Sequence, residues 1–279
     1  MSPKQRITIK FSRAGRLFVR FGLFLFGFYV AGCLLVWFNQ EKLLFHPEKL
    51  ASDHVFSFET PFKEFNLKTP DGESLNCLLF SGDSTHKRLI FYLHGNTGSL
   101  KDMAGPAEFY TKLGYDFCCF DYRGFGKSPG SNRNQDQLVD DTRLVYNHFK
   151  KKYRESAIVI VGYSLGTGPA TILASENHPA QLILQAPYYS VKELAADRYP
   201  YIPSFVLAYP FETFRYIPKV KCPISIFHGK RDKAIPFSSS KKLAGLLKKG
   251  DHFIPLENCD HNGIGNNVVF QQNIRKLLN

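Results

Sequence analysis

The stretch IVIVGYSLGTG, residues 158–168, decides the fold. Four consecutive β-branched residues suit a strand buried on both faces. Gly162, Ser164 and Gly166 then form a G-x-S-x-G turn into a helix. Bulky side chains on either flank of so sharp a turn would clash, so glycines are required there, and the serine hydroxyl projects clear of the backbone.

Outward from this turn, short apolar runs at 75–80, 89–93, 117–120, 157–161, 182–184, 224–227 and 253–256 read as buried strands. Helical segments fall between them near 101–113, 135–152, 166–176, 238–248 and 267–278. Strands alternating with helices imply right-handed crossovers and an α/β fold, a mostly parallel sheet covered by helices. A chain of 279 residues with 44% hydrophobic residues can bury one full core and still carry an appendage.

A serine hydroxyl is a poor nucleophile unless a base takes its proton, and the base needs an acid to orient it. After a nucleophile turn of this type the partners follow in the order acid, histidine. Asp232 lies in FHGKRDKAIP, residues 227–236, and His261 in NCDHNG, residues 258–263, both after the C-terminal ends of expected strands. Asp251 and His252 precede the last strand and belong at its other end. Asp260 competes with Asp232, but a residue adjacent to His261 cannot easily point at its imidazole. Acyl transfer also needs backbone donors for the developing oxyanion, each worth roughly 3 to 4 kcal/mol in the transition state. The Leu165 amide, directly after the serine, is one candidate. The Asn96 amide in LHGNTGSL, residues 93–100, is the other.

Taken in order, HGNTG, DYRGFGKSPG (residues 121–130), GYSLG, HGKRDKAIP and the terminal DHNG resemble the α/β-hydrolase superfamily over 62–279. With QEKLLFHPEKL after one apolar run, the chain is similar to the membrane-anchored abhydrolase-domain branch, which includes protein depalmitoylases. The resemblance implies a catalytic triad of Ser164, Asp232 and His261, an esterase or thioesterase activity, and no metal or other cofactor. Some depalmitoylases carry an N-terminal cysteine cluster where this chain has an apolar span, so their substrate does not carry over.

The N-terminus has its own logic. Six basic residues, Lys4, Arg6, Lys10, Arg13, Arg16 and Arg20, occupy residues 1–20 without an acid, and account for half of the formal net charge of +12. FGLFLFGFYVAGCLLVWF, residues 21–38, follows with no charge. Its eighteen residues make a helix of roughly 27 Å, close to the hydrocarbon thickness, so it reads as a transmembrane anchor. YVAGC, residues 29–33, also looks like a lipoprotein cleavage box, which would leave a lipid anchor at Cys33, but the apolar run continues past it. Residues 39–61 read as a juxtamembrane linker. Six Lys and Arg before the span against Lys42 and Lys49 after it place the N-terminus in the cytoplasm and the catalytic domain outside it.

Residues 188–218 are rich in tyrosine, phenylalanine and proline and fall where a cap is expected. Their aromatics either line an acyl pocket or pack the cap on the core. Arg123 in the 121–130 loop reads as a brace between loops. The six cysteines form no metal or redox motif; Cys118 and Cys119 point to opposite faces of one strand. No basic stripe with stacking aromatics marks a nucleic-acid partner. The expected partners are the bilayer and an acyl ester or thioester, and no protein partner is identified. A serine peptidase using the same triad is an alternative, with Glu193, Asp197 and Glu212 available in the cap to hold a substrate N-terminus. A catalytically silent scaffold is another, although no triad residue is missing.

Overall fold

The computed structural model describes residues 12–82 and 87–278. Residues 1–11, with Lys4, Arg6 and Lys10 of the basic segment, lie outside the described residues. Helix α1 (Arg13–Leu44) begins at Ser12, whose hydroxyl accepts a hydrogen bond from the Gly15 N–H at 3.1 Å. It extends the apolar run at both ends, because the flanking Arg, Leu, Gln and Lys residues are good helix formers. The side chains of its apolar window are not buried, and its length and composition suffice to cross a bilayer.

Eight strands build one sheet: β1 (Phe62–Lys68), β2 (Ser74–Phe80), β3 (Leu89–Leu93), β4 (Asp116–Phe120), β5 (Ile158–Tyr163), β6 (Gln181–Gln185), β7 (Ile224–Gly229) and β8 (His252–Leu256). Their order across the sheet is β8-β7-β6-β5-β3-β4-β2-β1. The strands from β3 to β8 run parallel, and β2 is antiparallel to both of its neighbours. Chain direction across the sheet reverses between β3 and β5, and the loops that follow those two strands therefore diverge over a crevice where ligands bind in such sheets. Strand β1 adds an element that the sequence reading began one strand too late to include. Its FKEFNLK pattern alternates only weakly, since it is a half-buried edge whose lysines face water.

Among the described residues, six further α-helices follow: α2 (Ala104–Thr111), α3 (Gln135–Lys150), α4 (Thr167–Glu176), α5 (Val191–Arg198), α6 (Phe237–Ala244) and α7 (Val268–Leu278). One apolar cluster joins α3, α4 and α6 to one face of the sheet, and a second joins α2 and α7 to the other. Cys118 belongs to the first cluster and Cys119 to the second, as side chains alternating along a strand must. Burial pushes both thiols well above the usual cysteine range, and all six cysteines are free.

The segment after α1 is bonded to the domain. Phe45 is buried in edge-to-face contact with Phe125 and Tyr209, at 5.9 and 5.2 Å between ring centroids. Anchored there, His46–Pro47 pairs in parallel with Thr97–Gly98, and the His46 N–H donates to the Asn96 carbonyl at 2.7 Å. Leu50 N–H and Gly126 O continue the seam at 2.9 Å. Arg123 makes a bidentate pair with Asp141 at 2.7 and 2.9 Å and a second with Asp71 at 2.6 and 2.9 Å. It thus ties the 121–130 loop to α3 and to the β1–β2 turn.

Candidate active site

At the end of β5 the chain turns through Ser164, whose φ of 51° puts a non-glycine residue in the left-handed region. The flanking glycines are sterically compelled. A Cβ on Gly162 would sit 2.7 Å from the Gly166 carbonyl oxygen, and one on Gly166 would sit 2.1 Å from the Leu93 carbonyl oxygen. Such contacts are with backbone and cannot be relieved by a rotamer change, so the turn packs against the end of β3 only as glycine. The adjoining helix α4 is buried along Thr167–Ala174, and its small Gly168 leaves room for the Tyr188 hydroxyl to donate to the Leu165 carbonyl at 3.0 Å.

His261 Nε2 lies 2.9 Å from Ser164 Oγ, and His261 Nδ1 lies 2.7 Å from Asp232 Oδ2. The network sets the tautomer: Nδ1–H donates to the carboxylate and Nε2 is left to accept the serine proton. Asp232 Oδ1 accepts the N–H groups of Ala234 and Ile235, both at 2.8 Å. Burial alone would raise this carboxyl, but donation from His228, from His261 and from the Ile235 N–H outweighs it and holds Asp232 below the usual carboxylate range. It is therefore an anion near neutrality.

Two residues that sequence reasoning passed over support this chain. His228, fully buried at the end of β7, places Nε2 3.2 Å from Asp232 Oδ2 and 3.0 Å from the Ile235 carbonyl, while Nδ1 lies 2.6 Å from Ser240 Oγ. Its signal was the histidine four residues before the acid in FHGKRD. Tyr163 donates to the His261 carbonyl at 3.2 Å and stacks obliquely on the imidazole, so it positions the histidine loop. That loop crosses the acid loop closely: a Cβ on Gly229 would sit 2.4 Å from the Cys259 carbonyl oxygen.

The rival residues sit elsewhere. Asp251 and His252 are at the N-terminal end of β8, where Asp251 Oδ1 accepts the Ile224 N–H at 2.9 Å. Asp260 turns away to accept the Gly263 N–H at 2.8 Å. Leu165 is the second residue of the one-turn 3₁₀ helix Ser164–Gly166, whose leading N–H groups have no intrahelical acceptor. Asn96 follows Gly95, whose Cβ position would lie 3.5 Å from Ser164 Cβ. Its side chain is engaged by the end of α1, with Nδ2 donating to the Leu44 carbonyl at 2.7 Å, and its carbonyl by His46 just after that helix. A cleft of about 430 Å³ opens beside this loop, lined by Tyr92, Met103, Phe109, Tyr163 and Phe270 among others. No group of side chains able to hold a metal ion occurs among the described residues.

The aromatics of residues 188–218 divide. Tyr188, Tyr209 and Phe211 are buried in the core, and Tyr189, Phe214 and Tyr216 pack against it. Tyr199, Tyr201 and Phe205 project outward.

Beneath the 94–99 loop, Asp121 is wholly buried, with Oδ1 accepting the Leu100 N–H at 3.0 Å and lying 3.9 Å from His94 Nε2. Burial raises Asp121 to about 8 and lowers His94 to about 4, so both are uncharged near neutrality. A carboxyl whose folded pKa exceeds its unfolded value, about 3.9, stabilises the fold below that value and loses the contribution as pH rises toward the folded one. Asp121→Asn, which cannot ionise, is therefore expected to gain stability relative to the parent progressively as pH rises from about 4 to about 8, by on the order of 5 kcal/mol over the range. Thermal midpoints across that range measure it, and a difference that does not change with pH refutes it.

Residues 84–215 match the serine aminopeptidase S33 family. Over 235 residues the chain is 27% identical to the uncharacterized protein Rv2307c of Mycobacterium tuberculosis, covering 82% of this chain and 83% of that one. It is 31% identical over 188 residues to the lysophosphatidylserine lipase ABHD12 of Danio rerio, covering 60% of this chain. The chain spans about half the length of that lipase, 48%. Among solved structures, the Pyrococcus furiosus esterase Pf2001 superposes with a TM-score of 0.67 at 20% identity, over 84% of this chain and 98% of that one.

Proposed function

Because the chain is a serine hydrolase of the α/β-hydrolase superfamily, we propose that it is a membrane-anchored esterase that cleaves an acyl ester or thioester of a lipid. The observation that carries this reading is the hydrogen-bonded chain Asp232–His261–Ser164 on a domain joined directly to an exposed apolar helix. His261 Nε2 takes the serine proton as Oγ attacks the acyl carbonyl, and the N–H groups of Leu165 and Asn96 receive the oxyanion. The imidazolium then protonates the leaving alcohol or thiol. Water, deprotonated by the same imidazole, hydrolyses the acyl-serine. No metal or other cofactor has a role in these steps.

Substrate preference is tested with acyl esters and thioesters of graded chain length, with aminoacyl anilides beside them, in detergent or lipid. Octanoyl and longer chains are expected to exceed acetyl in kcat/KM. Equal or better turnover of acetyl esters refutes lipid preference. The S33 match favours a peptidase as second reading. Against it, Glu193 is paired with Lys242 at 2.8 Å and Glu212 with Arg215 at 2.8 Å, which leaves two of the three cap carboxylates neutralised rather than available to a substrate ammonium. Anilide turnover above ester turnover would install the peptidase.

The reading also places α1 as an uncleaved anchor with its N-terminus cytoplasmic and the catalytic domain on the far side, on the charge bias of residues 1–49. Protease digestion of the domain in intact cells or spheroplasts supports that side, whereas protection until the membrane is broken overturns it. An intact mass that begins at acylated Cys33 replaces the transmembrane anchor with a lipid one.

A further inference from the structure

Between Arg198 and Glu212 the cap reads YPYIPSFVLAYPF, thirteen residues without a charge. Surface loops in water are normally polar. Here Tyr201 and Phe205 are 84% and 82% exposed, and Tyr199 is 55% exposed. The neighbour of this segment is α1. Tyr29 Oη donates to the Tyr201 carbonyl at 2.9 Å, and Gln40 clamps the other end, donating to the Val206 carbonyl at 2.6 Å and accepting from the Ala208 N–H at 2.7 Å. Cys33, Val36 and Gln40, which follow Tyr29 at helical spacing, are partly or fully covered, so the contact is a seam along one face of the helix.

The seam fixes a depth. Tyr29 precedes Gln40 by eleven residues, about 16 Å along the axis, and it sits near the middle of the apolar run 21–38. Whatever surrounds the middle of that run also surrounds Tyr201. Irregular chain in hydrocarbon must have its polar groups paired, and part of this segment's backbone already is. Pro200 and Pro203 have no N–H. Ile202 donates to Tyr199, Val206 to Pro203 and Leu207 to Ser204, at 3.0 to 3.2 Å. The carbonyls of Tyr201 and Val206 are taken by α1 side chains.

We propose that residues 199–207 are a membrane element, lying in the lipid leaflet nearer the catalytic domain beside α1 with Tyr199, Tyr201 and Phe205 among the acyl chains. The cap then meets a lipid substrate inside the leaflet. This rests on the reading that α1 spans the bilayer.

Trp37, the only tryptophan of the chain, lies in α1 and reports on that reading separately. The full chain is reconstituted in vesicles of phosphatidylcholine brominated along its acyl chains, as wild type, as Trp37→Phe with Phe205→Trp, and as Trp37→Phe with Tyr201→Trp. Both substituted positions are exposed, so an indole there has room. The proposal expects the indole emission at 205 and at 201 to be quenched as strongly as that of Trp37, and blue-shifted relative to the same variants in detergent-free buffer with urea. Quenching of Trp37 alone, with both cap indoles unquenched, overturns the proposal and leaves the spanning helix standing. Loss of quenching at Trp37 overturns the spanning helix, and the proposal with it.

Discussion

Replacing Ser164 with alanine is expected to lower ester turnover on the order of a million-fold and to abolish labelling by a fluorophosphonate. The only atom removed is the Oγ that lies 2.9 Å from His261 Nε2. Alanine tolerates the φ of 51° no worse than serine does, since both carry one Cβ. Thermal unfolding should therefore move by less than about 1 kcal/mol. Gel-based labelling and initial rates on the detergent-solubilised chain measure the outcome. A labelled, active alanine variant would show that the nucleophile lies elsewhere.

Asp232→Asn should cost about 10,000-fold in kcat. The amide keeps the shape of the side chain but can turn an N–H toward His261 Nδ1, which stabilises the tautomer that carries its proton on Nε2 and cannot accept from serine. It also removes the charge that His261 and His228 both face. Asp260→Asn is the control. Asp260 is exposed and its side chain accepts the Gly263 N–H, a contact the amide oxygen preserves, so its effect should stay within a few fold. Comparable losses from the two substitutions would refute the assignment of the acid.

Much of this architecture is local, and local features are legible. The β-branched run of β5, the glycines around Ser164 and the strand-helix alternation each act over a few residues, where backbone sterics and hydrophobic period leave few choices. The order and placement of Asp232 and His261 could be read because each follows a strand-like apolar run, although only β7 is buried throughout and β8, at the sheet edge, buries Leu256 alone. Strand β1 escaped because an edge strand with solvent-facing lysines lacks the apolar run that marks a central one. Helix α5 escaped for a related reason, since VKELAADR is short and none of its residues is fully buried, Val191 and Leu194 being only partly covered against the core.

The amino-acid sequence by itself determined the α/β class, the nucleophile turn, the candidate triad and the presence of an apolar helix long enough to span a bilayer. Each depends on side-chain type at short spacing. Only the tertiary structure decided what the distant segments do to one another. It brought His228 onto Asp232, set the chain after α1 against Asn96, and buried some cap aromatics while leaving Tyr199, Tyr201 and Phe205 outside. Gln40 meets Val206 across 166 residues of chain, and Tyr29 meets Tyr201 across 172. No local pattern encodes such pairs, because the energy that selects them comes from filling one shared core, in which Phe45 and Tyr209 compete with every other aromatic for the same space.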